Sequence, residues 1–260
     1  MTRFTKLKGW AVKSVLAAVG LLFASPILVT LFRSFSFNER VPTLEQYGEL
    51  LTANSAFLPH FWNSAGYSLA ITVLCLIITF PLGFIFAKVR FPGHNAVFFI
   101  FVIAMLLPFQ TTMMPNFITL RDIGLLNTPW ALILPPVFAP FAVFLFRQFI
   151  KGIPSELLDS TILETSSVFR ILLHAVIPQV RYAGGALAVM IFCESWNMAE
   201  PALIFVNRNS AFTPLSVVLG SLPGPVLFSA AAVYMVPIIL LYLLFKDTLA
   251  ASMAKFRWDG

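Results

Sequence analysis

Two carboxylic acids stand where a charge is costly. Glu194 and Glu200 lie inside the apolar run from Tyr182 to Val206. A central acid in a membrane-crossing helix costs about 2.5–3.5 kcal/mol on the insertion scale, so such a residue signals a polar task. At about 100° per residue, Glu194, Asn197 and Glu200 fall within about 120° of one another. That stripe is narrow enough to face a water-filled lumen, and it serves interhelical hydrogen bonding equally well. Trp196 and Asn197 add an aromatic face and an amide, which suit a polyhydroxylated ligand. Packing or anchoring at the membrane interface is the other use of the tryptophan. Upstream, Pro108, Gln110, Thr111, Thr112, Pro115 and Asn116 interrupt a second apolar run. A broken helix there would expose carbonyls and amides along a transport path, whereas a plain proline kink would leave the same pattern.

The chemistry that is missing narrows the function. No Gly-x-Ser-x-Gly or His-Glu-x-x-His motif occurs, so no catalytic residue is expected. Gly-Lys never occurs, which excludes a phosphate-binding loop of the usual type. Cys75 and Cys193 sit in apolar runs and read as small buried side chains. His60, His94 and His174 lack metal-ligand spacing and read as loop or helix-end residues.

These residues need helices to hold them in a membrane. Of 260 residues, 59% are hydrophobic and 11% are charged, against about 25% charged in a soluble domain. The apolar runs are continuous over about twenty residues, as helical spans require, rather than alternating as in barrel strands. Six spans are predicted: 11–32, 61–87, 96–120, 129–150, 182–206 and 226–246. The first apolar stretch outruns a signal-peptide core of about 7–15 residues and reads as an uncleaved span. The expected organisation is an N-terminal span and outer loop over 1–60, a five-span core over 61–250, and a tail over 251–260.

Charge sets the expected orientation. With the N-terminus inside, thirteen Lys and Arg residues are cytoplasmic, and Arg33, Arg40, Arg121 and Arg208 are outside. The positive-inside rule then puts both termini in the cytoplasm. The basic residues form a collar beside anionic lipid, not a nucleic-acid groove.

The inner segment 152–178 predicts two short amphipathic helices. Pro154 suits a first helical turn, with Ser155, Glu156 and Asp159 near the positive end. Ser166 or Ser167 is a second N-cap candidate. Phe169, Leu172, Leu173 and Val176 recur at helical spacing before Pro178 ends the helix. Such a pair lies on the bilayer or docks into a partner. Between Ser155 and Val176 the only Lys or Arg is Arg170, against Glu156, Asp159 and Glu164. Anionic headgroups would repel that segment, so a protein groove is the better host.

Gly152-Ile-Pro-Ser-Glu-Leu-Leu-Asp-Ser-Thr161 with Val176-Ile-Pro178 resembles the cytoplasmic coupling motif of binding-protein-dependent ABC importer permeases. Arg90-Phe-Pro-Gly93 resembles the family's short inner turn. Leu107-Pro108 to Pro115, Gly124 to Thr128, Arg147-Gln-Phe149, Ser195-Trp-Asn197 with Pro201, and Thr213 to Val217 follow in the order of the carbohydrate, maltose-type branch. Asp159-Ser160-Thr161 stands where the family has Glu-Ala-Ala, and Thr165 where it has glycine. Without that glycine, a left-handed bend between the two helices is hard to form.

The resemblance implies an all-α integral membrane protein of type I ABC importer permease architecture with six transmembrane helices in a bacterial cell membrane. It implies a permease subunit for a sugar or oligosaccharide. The expected partners are a cytoplasmic ABC ATPase dimer, a second and different permease, an extracytoplasmic solute-binding protein and lipid. No cofactor is expected in this chain, ATP being hydrolysed by the partner. Glu194, Trp196, Asn197, Glu200, Gln110 and Asn116 are its substrate-path candidates. Ser155, Glu156, Asp159, Ser160, Thr161, Thr165, Phe169 and Leu172 are its coupling candidates. A self-sufficient secondary transporter or channel is the competing class. Such a protein often carries inverted repeats, which are not evident here, and needs no cytoplasmic docking helices.

Overall fold

The computed structural model describes residues 2–35, 43–52, 57–165, 167–207 and 210–256, and every regular element among them is helical. In chain order these are α1 (Thr2–Ser34), α2 (Glu45–Thr52), α3 (Phe57–Lys88), α4 (His94–Leu106), α5 (Phe109–Asp122), α6 (Pro129–Val137) and α7 (Pro140–Lys151). They continue with α8 (Ser155–Glu164), α9 (Val168–Ile171), α10 (Ile177–Trp196), α11 (Glu200–Phe205), α12 (Leu215–Val218) and α13 (Gly224–Phe256). Five stretches are long and apolar enough to cross a membrane, or six when the bent pair α4–α5 counts as one span. Backbone helix runs through 251–256 of the expected tail, and residues 257–260 lie outside the described residues.

Prolines decide where the spans break. The predicted third span is not one helix: α4 and α5 meet at a bend of 102°. Pro108 cannot donate to the α4 ladder, and it forces Leu107 into extended backbone (φ −69°, ψ 126°). The fourth span is also interrupted at prolines, yet it continues as one membrane-crossing stretch, Pro129–Lys151. Ala139 is extended ahead of Pro140, and Pro135 and Pro136 remove two donors from α6. In α1, Pro26 leaves the Leu22 carbonyl without its usual partner, and the Ser25 hydroxyl donates to it at 2.7 Å. Hydroxyls do such work inside bilayers, where no water can.

The chain divides into two compact units. The first comprises Met1–Leu58 and Leu219–Val236. In it Tyr47 donates to Ser34 Oγ (2.8 Å), Ser229 donates to the Gln46 carbonyl (3.4 Å), and the Arg33 guanidinium lies 5.3 Å from the Phe228 ring centre. The apolar side chains of α1 from Val12 to Phe32 are largely exposed, as a lipid-facing helix requires.

The second unit comprises Pro59–Val218 and Pro237–Gly260. Its core joins Ile71 and Cys75 of α3, Phe146 and Ile150 of α7, and Leu187 and Ile191 of α10. Gly83 permits the closest crossing, since a Cβ there would lie 2.5 Å from Phe146 Cβ. Cys75 is buried, Cys193 is half-buried, and both are free thiols.

Candidate functional site

One end of the second unit is basic and carries α8. Lys88, at the end of α3, donates to the Ile153 carbonyl at 2.7 Å. Arg147 Nε donates to the Phe86 carbonyl at 2.9 Å, and its guanidinium stacks 3.8 Å from the Phe98 ring centre. His94 Nε2 donates to the same carbonyl at 3.1 Å. Arg147 and His94 thus satisfy the Phe86 carbonyl left open at the negative end of α3. These ties were not anticipated from the sequence, because the partners are backbone oxygens far away in the chain.

The predicted first coupling helix is present as α8, with Pro154 one residue ahead of it at the N-cap. No side-chain cap bond forms there or at Ser167, which occupies the N-cap of α9. Ser155 and Glu156 are exposed, and Thr161 donates to the Leu157 carbonyl at 3.0 Å. Asp159 and Ser160 lie on α8 with side chains outside the described set. Ser166 lies outside the described residues.

One sequence expectation about this segment is corrected, the end of the second helix, and two features add to the sequence reading. Thr165, where the family has glycine, is itself extended rather than left-handed (φ −151°, ψ 137°), and its Oγ1 accepts the Ser167 N–H at 3.2 Å. A hydroxyl therefore organises the turn in place of a glycine. The second helix does not stop at Pro178. It runs from Val168 through a π-helical stretch, Leu172–Val176, directly into α10. A π turn widens the helix just ahead of the proline ring, which relieves its clash with the preceding turn. The apolar face is also divided. Leu158 and Ile171 are buried in the unit's own core and Leu172 packs against it, whereas Leu157, Val168, Leu173 and Phe169 (70% exposed) face outward.

The polar residues of the membrane region are placed differently from the helical-stripe expectation. The fifth span does not run to Val206: α10 ends at Trp196, Asn197 is its C-cap, and Glu200 opens the separate α11. Pro201 sits in the first turn of α11, where its missing N–H is harmless. The break brings Glu200 to a residue of the other interrupted run. Gln110 Nε2, in the first turn of α5, donates to Glu200 Oε2 at 3.3 Å. Glu194, Asn197, Gln110 and Glu200 are all exposed, and Asn116 is half-buried. Asn197 Nδ2 donates to the Cys193 carbonyl at 2.8 Å.

Trp196 is elsewhere. Its side chain is 0% exposed, stacked with Phe192 at 14° and met edge-on by Phe61. Its ring is a core element beneath the polar residues rather than a surface that a ligand could touch.

At this end α3 offers a polar face not singled out from the sequence. His60 Nδ1 and Asn63 Nδ2 donate to the Thr213 and Ala211 carbonyls at 2.6 Å each, and Tyr67 donates to Phe212 O at 3.0 Å. Ser64 Oγ accepts the Leu215 N–H at 2.8 Å. The spacing i, i+3, i+4, i+7 was the available signal. Asn127, in the left-handed region (φ 57°), bonds both Phe205 and Asn207 and holds the α5–α6 turn against the end of α11.

No family model matches the chain. It is 30% identical over 223 residues to the arabinooligosaccharides transport system permease protein AraQ of Halalkalibacterium halodurans, covering 84% of this chain and 80% of that protein. The protein of the same name from Bacillus subtilis is 30% identical over 234 residues, covering 88% and 83%. A solved chain of a bacterial ABC transporter involved in the import of the acidic polysaccharide alginate superposes with a TM-score of 0.83. It covers 96% of this chain and 99% of that one at 19% identity, so it speaks for the fold alone.

Proposed function

We propose, from the premise that the chain belongs to the family of sugar ABC importer permeases, a specific assignment of its surfaces. The protein is a multi-pass membrane permease subunit of a sugar or oligosaccharide importer and not an enzyme. Our proposal is that the basic end faces the cytoplasm, with both chain termini on that side. There α8 and the start of α9 dock into an ABC ATPase dimer, which binds and hydrolyses the ATP. A second, different permease completes the pore, and an extracytoplasmic solute-binding protein delivers the sugar at the opposite end.

The observation that carries this reading is the divided apolar face of the α8–α9 segment. Leu158 and Ile171 fasten it to the core, while Leu157, Val168 and Phe169 remain exposed on a segment whose sequence carries Glu156, Asp159 and Glu164. A docked helix pair needs both halves, one to grip the partner and one to pass its motion inward. The ties from Lys88 to Ile153 and from α9 through the π stretch to α10 connect the docking element to two spans.

Gln110, Glu194, Asn197 and Glu200 are assigned to the translocation path. Their amides and carboxylates can exchange hydrogen bonds with sugar hydroxyls.

Cysteines replacing Ser160 and Thr165, in a complex co-expressed with its ATPase, test the docking. Efficient cross-links to the ATPase are expected. Cross-links to lipid probes alone would make the segment an interfacial helix pair and remove the coupling assignment.

A further inference from the structure

Membership of the family leaves the charge of the cargo open, because arabinooligosaccharides are neutral and alginate is acidic. The fixed charges along this chain's own path bear on it. From Tyr182 to Asn207 there is no Lys or Arg, and from Asn95 to Phe146 the only one is Arg121. Arg121 is already engaged: Asp122 Oδ1 lies 2.9 Å from its guanidinium, the ion pair found among the described residues. Arg208 follows α11 outside the described residues.

Against this stand two exposed carboxylates. Glu200 accepts a hydrogen bond from Gln110, a neutral donor that brings no compensating charge. Glu194 is exposed at the end of a membrane-crossing helix. The surface that this subunit offers at the α4–α5 and α10–α11 breaks is therefore acceptor-rich and negative.

We infer that this subunit selects its cargo by charge, admitting neutral or amino sugars and rejecting uronic or phosphorylated ones. The inference rests on the assignment of Gln110, Glu194, Asn197 and Glu200 to the path. A carboxylate has room for several donors, and Gln110 occupies one of those positions on Glu200. Sugar hydroxyls fill the others with charge-assisted bonds, and an ammonium group on an amino sugar fills them better still. An acidic sugar brings a like charge into a confined passage where salt screens weakly, and among the described residues of the α4–α5 and α10–α11 breaks it meets no lysine or arginine. Rejection by repulsion separates cargoes that share a ring shape, which contacts alone do poorly.

Two measurements test this. In the first, a strain lacking the gene is profiled for uptake of radiolabelled neutral, amino and uronic oligosaccharides and of sugar phosphates. Loss of a neutral or amino saccharide is expected. Loss of an uronic or phosphorylated one overturns the charge rule and leaves the importer assignment standing. Loss of none overturns the importer assignment and the inference with it.

In the second, the complex carries Glu194→Gln and Glu200→Gln together. Uptake of a mono-uronate analogue relative to its neutral parent is measured at equal occupancy of the binding protein. The ratio should rise about tenfold, the scale of one like-charge contact removed. An unchanged ratio overturns the inference even if total uptake falls.

Discussion

Lys88 Nζ donates to the carbonyl oxygen of Ile153 across 2.7 Å, joining the end of α3 to the residue pair that precedes α8. A carbonyl at that position has few other donors, because Pro154 follows it and the helix has not begun. Lys88→Met keeps the aliphatic stem and removes the donor. A bond from a charged donor is worth about 1.5–3 kcal/mol, and the lower figure applies to this half-exposed pair. The variant complex is expected to assemble but to lose several-fold in substrate-stimulated ATP hydrolysis, with Lys88→Arg intermediate. Full stimulation in Lys88→Met would show that this tie carries no motion.

The Gly83 crossing predicts a stability defect. An added Cβ would meet Phe146 Cβ at 2.5 Å and the Arg147 amide nitrogen at 3.1 Å, and neither can swing away. Gly83→Ala is expected to cost about 1–3 kcal/mol through overpacking. Thermal denaturation of the purified complex measures it. Phe146→Ala should not rescue Gly83→Ala, because alanine retains the offending Cβ.

Trp196 and Asn197 are neighbours with different jobs, and a paired substitution separates them. Trp196→Ala empties a fully buried site between Phe192 and Phe61, at about 3–5 kcal/mol, and should lower the amount of folded complex. Asn197→Ala should leave assembly intact and reduce transport. If the complex that survives Trp196→Ala shows an altered KM for sugar, the tryptophan contacts cargo after all.

Phe169 offers the cleanest test of docking, being exposed and not part of the core. Phe169→Asp should preserve insertion and folding while cutting substrate-stimulated ATP hydrolysis by at least about tenfold, the loss expected for a buried aromatic anchor at an interface. Wild-type stimulation in this variant would place the ATPase contact elsewhere.

Orientation can be read with a membrane-impermeant thiol reagent on intact cells. A cysteine replacing Asn209 should be labelled and one replacing Ser167 should not. Labelling only at position 167 would invert the proposed topology.

The class of molecule was legible in the chain alone. Burying long apolar runs in lipid needs only composition and length, and both are local properties. The same holds for α8, whose start is marked by Pro154 and whose spacing is helical. What the sequence left open depended on proline geometry and distant partners. A proline inside an apolar run reads the same whether it bends a helix slightly or breaks it. Only the packed chain shows that Pro108 turns α4 from α5 by 102°, while Pro178 is absorbed by a π stretch and ends nothing. The expected stripe of Glu194, Asn197 and Glu200 assumed one continuous helix. Tertiary structure replaced it with a pairing across the two breaks, Gln110 to Glu200. Trp196 could by its chemistry stack on a ligand or pack in the core, and the aromatic rings around it, one of them from α3, decided in favour of the core. Periodicity reports which face a residue shares along one helix. It carries no information about which other helix arrives at that face, and the functional residues here are defined by that arrival.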